Sequence, residues 1–239
     1  MMINQGQEID PALVNRPEKM ADLSKYLEQR EKLKSHMENE SNRDVLCWYE
    51  ENAQLYEQSF HSFGFEYHKT VMSAVLKHVK DKNSRILDCG AGSGVIGEML
   101  VENGYHNMDA LDGSKSMLDI AKGKNIYEKL VCATIGTKPI EAIETNAYDL
   151  IVSAGLFAHG AVYFESIPVL MEHLKQGGYF IFDIADYPGE KINRLLSIQR
   201  FKGLAVEWEK KGFCRLISEE RGFHSHQAHP NSIMTLHKI

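Results

Sequence analysis

Apolar positions in this chain fall into short continuous runs and helix-spaced stripes, which largely alternate after residue 80. From 17 to 37, Leu23, Tyr26, Leu27, Leu33 and Met37 lie near one helical face with charge elsewhere, predicting an amphipathic helix. Glu38 to Asn42 breaks the pattern, and helical spacing returns with Trp48, Tyr49, Leu55, Tyr56 and Phe60. Val71, Val75, Leu76 and Val79 predict a further helix. Ile86-Leu87 then reads as a buried strand, and Val95, Ile96, Met99 and Leu100 as a helix stopping near Gly104. Strands follow at Met108–Leu111, Lys129–Ile135, Tyr148–Ser153 and Tyr179–Ile184. Helices are expected at Met117–Ala121, Pro168–Lys175 and Leu195–Lys211, and two late strands at Phe213–Ile217 and Ser232–His237. Strands alternating with helices predict an α/β fold with a mostly parallel sheet.

The stretch Arg85-Ile-Leu-Asp-Cys-Gly-Ala-Gly-Ser-Gly-Val-Ile-Gly97 organises the rest. A strand, a glycine turn and a helix, in that order, form the first half of a nucleotide-binding βαβ unit. Glycine tolerates positive φ and lets a ligand approach the backbone. The helix N-terminus offers free N–H groups and partial positive charge. Gly92-x-Gly94-x-x-Gly97 also fits a dinucleotide turn. Asp88, just before the glycines, would repel a pyrophosphate and attract the ammonium of a methionine moiety. Asp112 ends the next strand 18 residues after Gly94, close to the roughly 20 expected of a carboxylate that accepts from both ribose hydroxyls. Gly113 permits the turn, and Ser114 is placed to cap the following helix.

The chain's 239 residues suffice to bury a full core. A formal net charge of −6 disfavours a broad nucleic-acid-binding face. Cysteines 47, 89, 132 and 214 form no CxxC pair, which predicts reduced thiols and a cytoplasmic setting. The first ten residues have no basic n-region and no long apolar core, so no secretory signal is expected. No apolar run is long enough to span a bilayer, and no membrane partner is expected.

Leu87-Asp-Cys-Gly-Ala-Gly-Ser-Gly94 resembles the first motif of class I S-adenosylmethionine-dependent methyltransferases, and Leu111-Asp-Gly-Ser-Lys-Ser-Met-Leu118 their second. Leu174-Lys-Gln-Gly-Gly178 resembles the family's L-K-P-G-G element, with Gln176 for Pro. Trp48-Tyr-Glu-Glu-Asn-Ala-Gln-Leu-Tyr56 resembles the W-A-x-x-Y-D segment before the core, with Glu57 for Asp, and is most similar to the methyltransferase-like proteins of the Williams–Beuren syndrome region. The resemblance implies a Rossmann-like class I methyltransferase fold. That is a seven-stranded, mostly parallel sheet with the last strand antiparallel, preceded by a helical cap. Residues 1–69 would be the N-terminal helical segment and aromatic cap, and 70–239 the Rossmann-like domain.

The implied cofactor is S-adenosylmethionine, with S-adenosylhomocysteine as product. Asp88, Gly90, Ala91 and Gly92 would line its methionine end, Tyr56 would reach its carboxylate, Asp112 and Gly113 would hold the ribose, and Met117 would pack on the adenine. Many relatives place an acidic residue after the third strand to read the adenine amine. This chain has Cys132-Ala133-Thr134, leaving that task to backbone groups or Thr134. Ser153 ends the fourth strand beside the expected cofactor. The stretch after it lacks the Asn/Asp, two prolines and aromatic of enzymes acting on exocyclic amines of bases or on amides. His159 there is the candidate base. A small-molecule acceptor is expected. His224, His226 and His229 lack a completing ligand, so no metal site is assigned. Two alternatives stay open: an NAD(P)-dependent oxidoreductase and a non-catalytic binding protein of the same fold.

Overall fold

The computed structural model describes residues 42–60, 67–157, 162–185, 196–223 and 230–239. The expected helix over 17–37 lies outside them. The elements run α1 (Asn42–Phe60), α2 (Tyr67–His78), β1 (Ile86–Cys89), α3 (Val95–Glu102), β2 (Met108–Asp112), α4 (Lys115–Gly123), β3 (Lys129–Cys132) and β4 (Tyr148–Phe157). A 3-10 turn at Phe164–Ser166 then leads into α5 (Ile167–Glu172), β5 (Leu174–Ala185), α6 (Ile198–Lys210), β6 (Cys214–Phe223) and β7 (Pro230–Lys238).

The strands form one seven-stranded sheet in the order β3-β2-β1-β4-β5-β7-β6. β1 to β5 pair in parallel, and β7 runs antiparallel between β5 and β6. Only β7 therefore opposes the other six strands. β1 is buried along its whole length, as a central parallel strand between two helical layers must be. Its residues alternate between the two faces. Ile86 joins Val71, Val75, Leu100, Leu150 and Ile181 on the α2/α3 side, while Leu87 and Cys89 join Leu111, Phe157, Phe180 and Phe182 on the side of α5 and α6.

Several boundaries differ from expectation, among them β5, which begins at Leu174 rather than Tyr179, and β6, which runs to Phe223 rather than Ile217. β4 continues past Ser153 to Phe157, because Gly155 at φ +80° lets the chain bulge and rejoin β5 at Phe157–Ile184. The helix expected to reach Lys175 stops at Glu172, and Leu174 already pairs with Tyr148. β3 stops at Cys132 rather than Ile135. Ser114 caps α4 as expected, its hydroxyl accepting from Met117 N at 3.2 Å.

Five phenylalanines knit the α5/α6 face. Phe182 lies with its ring 4.6 Å from Phe180, 5.0 Å from Phe157 and 5.4 Å from Phe201 between centroids, and Phe164 contacts both Phe157 and Phe201. Phe182 is fully buried at the centre of this set. Phe182→Ala is expected to lower unfolding free energy by about 3–5 kcal/mol, read as a fall in the urea midpoint. A loss under about 1 kcal/mol would contradict this packing.

Candidate functional site

β1 pairs with β2 on one side and β4 on the other, so the chain direction across the sheet reverses beside β1. Ligands of open α/β sheets bind outside the strands' carboxyl ends at such a point. The glycine turn lies there. Gly90 N and Ala91 N donate to Leu111 O at 2.7 and 3.1 Å, which lays the turn across the end of β2. Gly90, Gly92 and Gly94 have φ of +73°, +55° and +90°, which L side chains adopt only under strain. A Cβ on Gly90 would overlap Leu156 Cδ1 at 2.8 Å, and one on Gly92 would crowd Met117 Cε at 3.2 Å.

Asp112 binds this turn to the next. One carboxylate oxygen accepts from Gly92 N and the other from Ser114 N, both at 2.8 Å. Burial raises its pKa, the Ser114, Gly92 and Gly113 N–H groups oppose the rise, and the Glu50 charge adds to it. Gly113 follows it in the chain, and Met117 is buried with its Cε close to Gly92. Ala133 N donates to Asp112 O at 3.0 Å, and Thr134 is exposed.

Asp88 is 1% exposed. Its carboxylate accepts from the Tyr127 hydroxyl at 2.5 Å and from Gly97 N, so it is tied into the root of α3 under the glycine turn. Burial drives its pKa up to about 7, and Asp112 adds to that, while Tyr127 and Gly97 hold it back. Gly97 has no room for a side chain, since a Cβ would overlap the Tyr127 hydroxyl and stand 2.5 Å from its Cζ. The third glycine of the motif is thus matched to a tyrosine 30 residues later in the chain. Sequence reasoning missed Tyr127, which sits between a helix and a strand with no motif around it.

The cap helix α1 reaches the same place. Glu50 accepts from Ser116 N at 3.0 Å, Ser114 Oγ at 2.7 Å and Ser116 Oγ at 2.9 Å. The Ser116 N–H and the Ser114 hydroxyl hold its pKa below the ordinary glutamate value. Leu46 packs so closely on Gly113 that a Cβ there would lie 2.6 Å from Leu46 Cδ2. Further along, Trp48, Tyr49 and Tyr56 stack edge to face, with centroids 5.1 and 5.7 Å apart. Tyr67, at the start of α2, shares a hydrogen bond with Tyr56. Glu50 was also missed: it reads as one more charge in an amphipathic pattern.

At the ends of β4 and β5, Asp183 accepts from Gly155 N at 2.6 Å and, at 3.4 Å, from Asn231 Nδ2. Ser153 Oγ and Ser93 Oγ are buried and have no hydrogen-bond partner among the described residues. The Gly90–Gly94 turn, Asp112, Met117 and Ser153 are brought to this edge, and Tyr56 joins it through its hydrogen bond to Tyr67, which lies beside Gly155. His159, Asp186 to Pro188, His224, His226 and His229 lie outside the described residues. Among the described residues no group of three or more His, Cys, Asp or Glu is placed to hold a metal ion, and no helix is long and apolar enough to cross a membrane.

A glycine cradle without room for side chains, a carboxylate at the end of β2 and two unpartnered buried hydroxyls fit a nucleoside cofactor with a short polar tail. Strand order and the lone antiparallel β7 define the Rossmann-like class I methyltransferase architecture. Residues 86–178 match the family model of a methyltransferase domain. The human Methyltransferase-like protein 27 is 31% identical over 85 residues, 36% of this chain and 34% of that protein, so the match spans about a third of the relative's length. Among solved structures, the [4+2]-cyclase SpnF superposes with a TM-score of 0.63 at 12% identity, covering 83% of this chain and 96% of that one. Magnesium protoporphyrin IX methyltransferase from Synechocystis, solved with bound S-adenosylmethionine, gives 0.58 at 15% identity over 83% and 97%. The N-methyltransferase NodS from Bradyrhizobium japonicum, solved with S-adenosylhomocysteine, gives 0.55 at 14% over 72% and 86%. These structures share the fold, and the cyclase illustrates that one fold serves more than one chemistry. Residues 86–178 thus carry a match to a methyltransferase domain, set in the fold that these solved methyltransferases share.

A pH dependence follows from Asp88. Its carboxyl has an ordinary value of 3.8 and a folded value of about 7, so between those limits the native state binds more protons than the unfolded chain. Its contribution to stability is therefore largest in acid and falls as pH rises through that window. Asp88→Asn is expected to flatten the decline and to gain on wild type above pH 7, read as urea midpoints at pH 5 and 8. An unchanged difference between the two pH values would contradict the buried pairing.

Proposed function

We propose that this chain transfers a methyl group from S-adenosylmethionine to a nucleophile on a small-molecule acceptor. The observation that carries the proposal is the Asp112 carboxylate at the end of β2, bonded to the glycine turn at Gly92 N and so held where a ribose diol would meet it. The family match and the methyltransferases of like fold support the same reading. Nothing in them favours the nicotinamide alternative.

When bound, the cofactor supplies a methyl already activated by its sulfonium. The protein's residues have to bind, orient and exclude water, which makes positioning the large term. Gly90 and Gly92 let the backbone approach the methionine portion. Asp112 takes the ribose hydroxyls, and Met117 together with the backbone at Ala133 flanks the adenine side. Ser153 and Ser93 offer hydroxyls to the polar tail. Helix α1, docked through Leu46 and Glu50, covers the nucleoside half and brings Tyr56 to the methionine side. The acceptor then enters over the ends of β4 and β5.

Calorimetric titration tests it. Saturable binding of S-adenosylmethionine and S-adenosylhomocysteine is expected, with Asp112→Ala weakening both at least about tenfold, or about 1.4 kcal/mol. NADH and NADPH serve as controls. Folded protein that binds neither sulfur compound would overturn the proposal.

A further inference from the structure

Asp183 stands apart from the groups assigned to the cofactor. It is 2% exposed and lies at the carboxyl end of β5, two positions across the sheet from β1. Its side chain is on the face shared by α2, not among the phenylalanines of the opposite layer. Oδ1 is fully engaged by Gly155 N at 2.6 Å. Among the described residues Oδ2 has the long 3.4 Å contact from Asn231 Nδ2, and the backbone N–H of Asp183 itself also bonds the carboxylate. A buried carboxylate with an under-used oxygen is costly unless a donor or cation completes it.

The surroundings are aromatic and phenolic. Tyr67 Oη lies 3.2 Å from where a Cβ on Gly155 would be, beside the backbone group that Asp183 binds. Tyr67 shares a hydrogen bond with Tyr56, whose ring lies 5.7 Å from that of Tyr49 between centroids, and burial raises the Tyr67 pKa most, with the charges of Tyr56, Asp183 and Tyr49 adding to it. Tyr67 also packs on the His68 ring at 4.0 Å between centroids. The position is defined relative to the glycine turn by Leu156, which follows Gly155 on β4 and touches Gly90. One residue thus separates the Asp183 anchor from the contact with the cofactor cradle.

We infer that Asp183, with the Tyr67 phenol beside its Gly155 anchor, forms the acceptor subsite, and that the acceptor it takes is an amine. This rests on the reading of the chain as a methyltransferase. A carboxylate beneath aromatic side chains suits an amine in its protonated state, through charge pairing and cation–π attraction together. The bound ammonium must shed a proton to become nucleophilic. That proton leaves nitrogen for Asp183 Oδ2, the nitrogen keeps its lone pair, and no oxidant or reductant is involved. The raised pKa of Asp183, about 6 through burial with the Gly155 and Asn231 groups opposing, leaves it able to take and return the proton near neutral pH.

The test uses sinefungin, a cofactor analogue whose amine-bearing carbon replaces the methylsulfonium, so that an ammonium stands where acceptor and methyl meet. Its affinity is compared with that of neutral S-adenosylhomocysteine by calorimetry on the full chain. Wild type is expected to favour sinefungin by at least about tenfold. Asp183→Asn keeps an oxygen for Gly155 N while removing the charge. It is expected to bring the ratio close to one and leave S-adenosylhomocysteine affinity within about twofold of wild type. Asp183→Glu, which retains the charge one methylene away, is the second variant should the first not fold, and is expected to lower the ratio at least about threefold.

Equal affinities in wild type, a preference that persists in folded Asp183→Asn, or one undiminished in folded Asp183→Glu, overturn the subsite while leaving the cofactor reading intact. Failure of S-adenosylhomocysteine to bind wild type at all overturns the cofactor reading and the subsite with it.

Discussion

Two carboxylates stand at the ends of adjacent strands at the same edge of the sheet, Asp88 buried and Asp112 half-buried. Asp88 and Asp112 repel one another across the β1–β2 pair, each pushed up by burial. What makes the arrangement tenable is the backbone between them. Gly92 N and Ser114 N hold Asp112, while Gly97 N and the Tyr127 hydroxyl hold Asp88. The turn needs glycine because its N–H groups must point at carboxylates while the chain runs at positive φ. The helix behind it needs glycine because Tyr127 occupies the space. Stability and ligand geometry are set by the same few bonds.

The rest of the site is arranged around that edge in two halves. On the β2 side, α1 is fastened to the N-terminus of α4 by Glu50, whose charge suits the unsatisfied N–H groups there and also raises the cost of charging Asp112. On the β5 side, the bulge at Gly155 turns its N–H to Asp183 and sets Leu156 against Gly90. The cap's aromatic residues span from one half to the other through Tyr49, Tyr56 and Tyr67. A nucleoside over β2 and an acceptor over β5 would therefore be covered by one helix.

The fold was legible because parallel strands buried on both faces read as short apolar runs, and Ile86–Leu87, Met108–Leu111 and Tyr148–Ser153 alternate with helix-spaced stretches. Asp112, Gly113 and Ser114 were legible because the distance from the glycine turn is fixed by the length of one helix. The expectations failed where long-range contacts decide. The continuation of β4 depends on a bulge stabilised by Asp183, 28 residues away, and the early end of α5 on Leu174 pairing with Tyr148. Tyr127 and Glu50 carry no local pattern, since their partners are set by how helices pack rather than by spacing. Asp88 drew attention as a charge before a glycine turn, but sequence alone gave no sign that a tyrosine hydroxyl would already be bonded to it.

We propose that the Asp112 end of β2 and the glycine turn hold an adenosyl cofactor across the β1–β4 switch point. A crystal structure of the chain with S-adenosylhomocysteine tests it most directly. The predicted result places both ribose hydroxyls within hydrogen-bond reach of Asp112 and the homocysteine chain along Gly90 to Gly92 toward β4. A ribose turned away from Asp112, or a ligand seated elsewhere on the protein, would contradict it.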